Sequence, residues 1–216
     1  FGKISPFGYF TGGSQNNGSA VTRLDFSNDS AGVSVKGPLS IARGNHNGLS
    51  SSSHGYIVGG WQNPTYYTTV DRIDYTNDTA TASPKGPLSL SRRGNSSSTN
   101  ANFGYIGGGL YPSYLTTVER IDYSNDNTTA SPKGPLSVAT RYGVGATGNQ
   151  SFGYFGGGGD PTVSTIDRID YSNDTATASP KGLLSIAKQR FDATGNASFG
   201  YFAGGSGSSP FSTVDR

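Results

Sequence analysis

The chain has no cysteine, no methionine, one tryptophan and one glutamate, Glu119, among its 216 residues. Without cysteine there can be no disulfide scaffold, no thiolate zinc site and no cysteine nucleophile. Hydrophobic residues make up only 32% and charged residues 14%, and no apolar run approaches the ~18 residues that a membrane-spanning helix needs. Membrane insertion is therefore not expected. The 16 Lys and Arg are spread along the chain and nearly balanced by 14 acidic residues, so the basic stripe of a nucleic-acid binder is missing. The two histidines, His46 and His54, lie in a polar Gly-Ser-Asn stretch with no third ligand nearby. They are read as surface residues and no metal is expected. There is no Gly-x-Ser-x-Gly nucleophile elbow, and the carboxylates recur at intervals instead of converging as an acid-base pair. The glycine runs open no helix that could cradle a phosphate. Neither catalysis nor a cofactor is expected.

Glycine is abundant, with 33 copies, and aromatic residues reach 12%. Glycine costs about 1 kcal/mol per helical position relative to alanine, so the expectation is β structure with an aromatic core. The dominant signal is an internal repeat. Asp25-Phe26-Ser27-Asn28-Asp29 returns from Asp74, Asp122 and Asp170, a step of 48 or 49 residues. Phe7-Gly8-Tyr9-Phe10-Thr11-Gly12-Gly13 returns from His54, Phe103, Phe152 and Phe199. Lys36-Gly37-Pro38-Leu39-Ser40 returns from Lys85, Lys133 and Lys181, the last with Leu183 in place of proline. Residues 1–216 are thus read as a single repeat domain.

Within one repeat, Phe103-Gly104-Tyr105-Ile106 predicts a strand closed by Gly107-Gly108-Gly109. A second strand is predicted over 116–123, with Glu119, Ile121 and Tyr123 on one face and Val118 and Arg120 on the other. Ser124-Asn125-Asp126-Asn127 has turn chemistry. A third strand is predicted over 128–131, stopped by Pro132, and a small-residue fourth over 142–147 after Leu136-Ser137-Val138-Ala139. Four short strands per repeat of ~48 residues is the signature of a β-propeller blade. The length corresponds to about 4.5 blades. Because the chain opens Phe1-Gly2-Lys3 and stops after Val214-Asp215-Arg216, a partial propeller within a longer chain is expected.

Gly-Tyr-Ile-Gly-Gly, Arg-Ile-Asp-Tyr, Gly-Pro-Leu-Ser-x-Ala and Gly-Ala-Thr follow one another as the kelch repeat prescribes, and the chain resembles that family. It departs where the third kelch strand carries Trp. Here Thr-Ala-Ser stands instead, implying a lost core residue per blade. The connecting basic residue slips in register, read as Arg43, Arg92, Arg141 and Arg190. The cassette Asp-Tyr-Ser-Asn-Asp-Thr-Ala-Thr-Ala-Ser-Pro-Lys-Gly, alternating with Phe-Gly-Tyr-Phe-Gly-Gly-Gly, is similar to kelch-like repeats in virion structural proteins of tailed phages. That resemblance implies an extracellular location in a virion tail, baseplate or fibre. The partners it implies are other virion proteins or a host surface glycan, with self-association as a further mode. The alternative is a cellular kelch-type adaptor that binds proteins.

The segments after each double glycine differ most among the copies, running from Ser14, Trp61, Leu110, Gly159 and Ser206. A constant frame carrying divergent loops is how scaffolds diversify binding. Their aromatic members Trp61, Tyr66, Tyr67, Tyr111 and Tyr114 are the candidate ligand-contacting residues, rings for stacking beside amides for hydrogen bonds. The oxygen-rich Asp-Tyr-Ser-Asn-Asp cassette lacks calcium-loop spacing and is read as an Asx turn. Arg23, Arg72, Arg120, Arg168 and Arg216 are read as structural pairs between neighbouring strands or blades. Lys36, Lys85, Lys133 and Lys181, in Pro-Gly turns, are read as solvated.

Overall fold

In the computed structural model, which describes residues 6–13, 18–138 and 142–216, almost every ordered segment is a short strand. Strands β1 (Phe7–Thr11), β2 (Val21–Asp25) and β3 (Ser34–Lys36) form the first antiparallel sheet. The second contains β4 (Asn47–Ser50) and β5 (His54–Val58). A small hairpin, β6 (Trp61–Gln62) with β7 (Thr65–Tyr66), then projects before β8 (Val70–Asp74) and β9 (Ser83–Pro84) complete it. The third sheet is β10 (Ser96–Thr99), β11 (Phe103–Gly107), β12 (Val118–Asp122) and β13 (Ser131–Lys133). The fourth is β14 (Gly145–Gly148), β15 (Phe152–Gly156), β16 (Thr165–Asp170) and β17 (Ser179–Leu183). The fifth is β18 (Asp192–Gly195), β19 (Gly200–Ala203) and β20 (Val214–Asp215). Each sheet keeps sequence order and is antiparallel throughout, and the innermost strands β4, β10, β14 and β18 lie side by side. This is an all-β propeller of five blades. Among the described residues the first blade has no innermost strand and the last no outermost one.

The predicted strands are found with shifted ends. The third strand starts at Ser131 and runs through Pro132, which sequence reasoning had taken as its stop. Proline is tolerated because this is the outer, edge strand of the blade. The innermost strand begins at Gly145, later than predicted. The two faces of β12 are both largely covered, with Val118, Glu119 and Ile121 buried, because an inner blade is packed on both sides. The double glycine is dictated by backbone: Gly59 and Gly60 have φ of 65° and 107°, Gly108 and Gly109 69° and 100°, a region open to glycine and strained for other residues.

The core is divided into four apolar clusters, one at each blade junction. Val21 and Leu39 meet Ile57, Ile73 and Ala82, and Tyr56, Val58 and Val70 meet Leu88, Ile106 and Ile121. Tyr105 and Val118 meet Val144, Phe155 and Ile169, and Leu184 meets Phe191 and Phe202. The alanines at the lost tryptophan position (Ala82, Ala130 and Ala178) are buried in these junctions. They make a close backbone approach between blades, with Ala82 N–H donating to Pro38 O, Ala130 to Pro87 O and Ala178 to Pro135 O, all at 2.8 Å. What sequence reasoning took as a missing core residue is therefore a tighter junction.

One polar device repeats across those junctions. In the second, third and fourth cassettes the last Asp is buried, accepts hydrogen bonds from a tyrosine and an arginine of the preceding blade and ion-pairs with its lysine. Asp78 accepts from Tyr9 Oη at 2.9 Å and Arg23 at 2.7 Å, with Lys36 Nζ at 3.3 Å. Asp126 accepts from Tyr56 at 2.9 Å and Arg72 at 2.8 Å, with Lys85 at 3.8 Å. Asp174 accepts from Tyr105 at 3.0 Å and Arg120 at 2.6 Å, with Lys133 at 3.3 Å. The Asp carbonyl also accepts from Gly37, Gly86 or Gly134 N–H at 2.8–2.9 Å. A Cβ on any of these three glycines would fall within 2 Å of the facing carbonyl oxygen, so only glycine allows the approach. The cassette tyrosine stacks on the same partner tyrosine: Tyr75 on Tyr9 at 5.2 Å, Tyr123 on Tyr56 at 5.0 Å and Tyr171 on Tyr105 at 4.5 Å.

The inter-blade reading of Arg23, Arg72 and Arg120 is thus realised, and the solvated reading of the lysines is corrected for three of four. Lys36, Lys85 and Lys133 are 11–12% exposed and ion-paired, because the carboxylate of the next blade folds over them. Lys181 alone is exposed. Burial and the Asp78 hydrogen bond push the Tyr9 phenol up to about 12, keeping it a donor. Although burial opposes it, hydrogen bonds from Tyr9 and Lys36 with the Arg23 charge bring Asp78 below the ordinary carboxylate value. The first cassette Asp caps its own turn in every copy, Asp25, Asp74, Asp122 and Asp170 accepting from the residue two positions on at 2.8–2.9 Å, as an Asx turn does.

Candidate functional site

The basic residue that joins one blade to the next is buried. Arg43 donates to Asp71 at 2.9 Å and to the carbonyls of Gly59 and Ile57. Arg92 pairs with Glu119 and donates to Gly108 O. In the last blade Lys188, paired with Asp215 at 2.9 Å, takes this place. Arg190 is therefore not the equivalent of Arg43. Its apparent slip in register came from matching arginine to arginine when the structural equivalent is a lysine. Arg141 and Ala139 lie outside the described residues. Arg43 and Arg92 bind double-glycine carbonyls and Lys188 the Phe202 carbonyl of the strand that leads to one, and so they fix the base from which the variable loops leave.

Three of the five candidate aromatics come together there. Tyr66 and Tyr111, from the loops of consecutive blades, stack at 4.3 Å, and Trp61 meets Tyr66 at 6.3 Å. Sequence reasoning missed the residue that organises them. The Arg93 guanidinium lies 4.9 Å over the Trp61 ring, 5.4 Å over Tyr66 and 5.9 Å from Tyr142. Such cation–π contacts are worth about 0.5–1 kcal/mol at an exposed site. The only signal for it was an arginine doublet, Arg92-Arg93, of which one member is consumed by the core. Tyr67 turns to its own loop, donating to Gln62 at 3.4 Å, and Tyr114 flanks a bridge to Leu110; neither joins the cluster. The loop segment Ser14 to Asn17 lies outside the described residues.

Tyr142 links the cluster to the mouth of the central channel. There Asn45, His46, Asn95, Tyr142, Arg190 and Asp192 surround a cavity of about 550 Å³. Both polar atoms of the Asn95 amide are buried without a protein partner, and so is His46 Nε2. His46 is not the solvated histidine expected from sequence: it packs against Gly12 and Gly60. Burial, and then the Arg43 charge, push its pKa down to about 4. Buried amides without partners are costly. Among the described residues no three His, Cys, Asp or Glu side chains gather as a metal site.

The class defined by this fold is the β-propeller with a loop-built face. No protein-family model and no curated protein matches the chain. Among solved structures, that of YjhT superposes with a TM-score of 0.79 over 95% of this chain and 71% of its own, at 13% identity. At that identity the likeness carries the fold alone.

Proposed function

We propose that this propeller is a non-enzymatic binding module of a tailed-phage virion, in a tail, baseplate or fibre, displaying its variable loops toward a host surface glycan. The observation that carries the reading is the Trp61–Tyr66–Tyr111 cluster, assembled by loops of two blades around Arg93. Flat rings beside amides and a guanidinium suit a sugar, whose C–H face stacks while its hydroxyls take hydrogen bonds. Tyr111 is 45% exposed, so the cluster presents an open edge. The cassette resemblance supplies the virion setting, and the kelch-like frame supplies loops that vary without disturbing the core. A glycan array probed with the whole chain tests it. Retention of a defined glycan, weakened at least tenfold by Trp61→Ala, is expected. A blank array, or retention indifferent to that substitution, overturns it.

A further inference from the structure

The loop face carries positive charge that the molecule does not neutralise. Arg93, Tyr142 and Arg190 lie just ahead of the innermost strands β10, β14 and β18, and each guanidinium is 5.9 Å from the centroid of the Tyr142 ring. Backbone brings the three together. Gly94 and Gly143 have φ of 60° and 65°. A Cβ on Gly94 would strike the Tyr142 ring, and one on Gly143 would come 3.2 Å from Arg190 Cγ. Each side chain therefore lies against a bare glycine of the blade before it. The N–H groups of Gly143 and Arg190 tie the same turns together, donating to Gly94 O at 2.9 Å and Gly143 O at 2.8 Å. Among the described residues neither guanidinium has an ion pair or a hydrogen-bond acceptor, and Arg93 Nε is enclosed without one. Asp192 lines the channel mouth beside Arg190 but pairs with neither arginine. His46, with its pKa of about 4, is neutral there at ordinary pH.

We infer that the glycan taken by the loop face is acidic, with a sugar carboxylate held at Arg190 and Arg93 beside Tyr142 and neighbouring sugars lying over Trp61, Tyr66 and Tyr111. This rests on the glycan-binding reading and adds the class of glycan. An arginine stacked by its flat face keeps its N–H edge for an acceptor, and that planar fork matches a carboxylate with two parallel hydrogen bonds. Arg93 is held over Trp61 and Tyr66 in this way. Arg190 is exposed, and its stem is seated on Gly143, so less side-chain freedom is lost when an anion arrives. The aromatic rings alone suit any sugar; two unpaired guanidiniums at their edge favour one that carries negative charge.

A glycan array tests it when each carboxylated oligosaccharide is printed beside its carboxyl-reduced form, in which the carboxylate has become an alcohol and the ring is unchanged. The whole chain should retain a carboxylated glycan about tenfold or more tightly than its reduced partner, as hydrogen bonds to a charged group imply. Arg190→Asn should bring that ratio close to one without altering the melting temperature. Asparagine tolerates the left-handed backbone, and Asn45 already holds the equivalent place in the second blade, with φ of 52° against 55° for Arg190. Equal retention of the two forms, still weakened by Trp61→Ala, overturns the acidic assignment and leaves the glycan reading standing. A preference for the carboxylate that Arg190→Asn does not change also overturns it. So does equally tight retention of a sulfated glycan of the same backbone, which assigns the attraction to charge alone. A blank array overturns both readings.

Discussion

Asp126→Ala measures what one junction device is worth. Asp126 is 6% exposed, and its loss leaves the Tyr56 hydroxyl, on a residue 1% exposed, without an acceptor. A buried hydroxyl left unpaired costs about 1–3 kcal/mol. Arg72 retains 27% exposure and can turn to water, so its part is about 0.2–1 kcal/mol. Lys85, at 3.8 Å, adds little. The Gly86–Asp126 backbone hydrogen bond and the Tyr56–Tyr123 stack survive. The total is about 3 kcal/mol, and for a chain of this length it lowers the melting temperature by about 6–12 °C. The molecule contains its own control: Asp29 holds the same place in the first cassette and is exposed, so Asp29→Ala should shift stability by no more than about 0.5 kcal/mol. Urea and thermal unfolding of the two variants decide the matter. If Asp126→Ala and Asp29→Ala unfold alike, the carboxylate is not what joins the blades.

The close backbone approach gives a paired test by thermal melting. Gly134→Ala should destabilise by about 3 kcal/mol or more, since its methyl group meets the Ala176 backbone. Gly182→Ala, facing open space, should stay within about 0.5 kcal/mol of the parent. His46 makes stability pH-dependent in a defined window. Its folded pKa of about 4 lies below the ordinary 6.5, so as pH falls the unfolded chain takes up the proton first. Stability should decline from pH 6.5 to about 4, by up to about 3 kcal/mol, and level off below. Urea midpoints across that range should flatten in His46→Gln, and an unchanged slope would refute the burial of the neutral ring. Asp78, whose folded pKa is lowered, contributes stability above the ordinary carboxylate range. That contribution should fade as pH drops below about 4, and Asp78→Asn should remove the fading.

The repeat, the strands and the cassette turn were legible because they are local: periodicity, double glycines and Asx chemistry act within a few residues of one another. Strand ends were less so. Pro132 reads as a stop to anyone who does not know that its strand lies at an edge. The loop cluster was legible in composition only. Trp61, Tyr66 and Tyr111 were singled out for being aromatic and variable, and nothing in the sequence separated them from Tyr67 and Tyr114, which point elsewhere. Arg93 was hidden because its neighbour Arg92 carries the periodic signal. The junction device was invisible for a geometric reason. Tyr56 and Asp126 are 70 residues apart and Arg72 and Asp126 are 54 apart, both longer than one repeat. Comparing copies aligns each residue with its equivalents, whereas the device joins different positions of consecutive copies.

That geometry also explains which parts of the repeat stay constant. Each cassette residue has a duty across a junction. The tyrosine stacks on the previous blade, the aspartate gathers its Tyr, Arg and Lys, and the alanine packs into its core. A change in the aspartate must be met at the tyrosine or arginine of the preceding copy, 54 to 70 residues away. The loops after the double glycines are anchored from below by Arg43, Arg92 and Lys188, which hold main-chain carbonyls and not loop side chains. Backbone anchoring leaves the side chains above it free to change without cost to the ring.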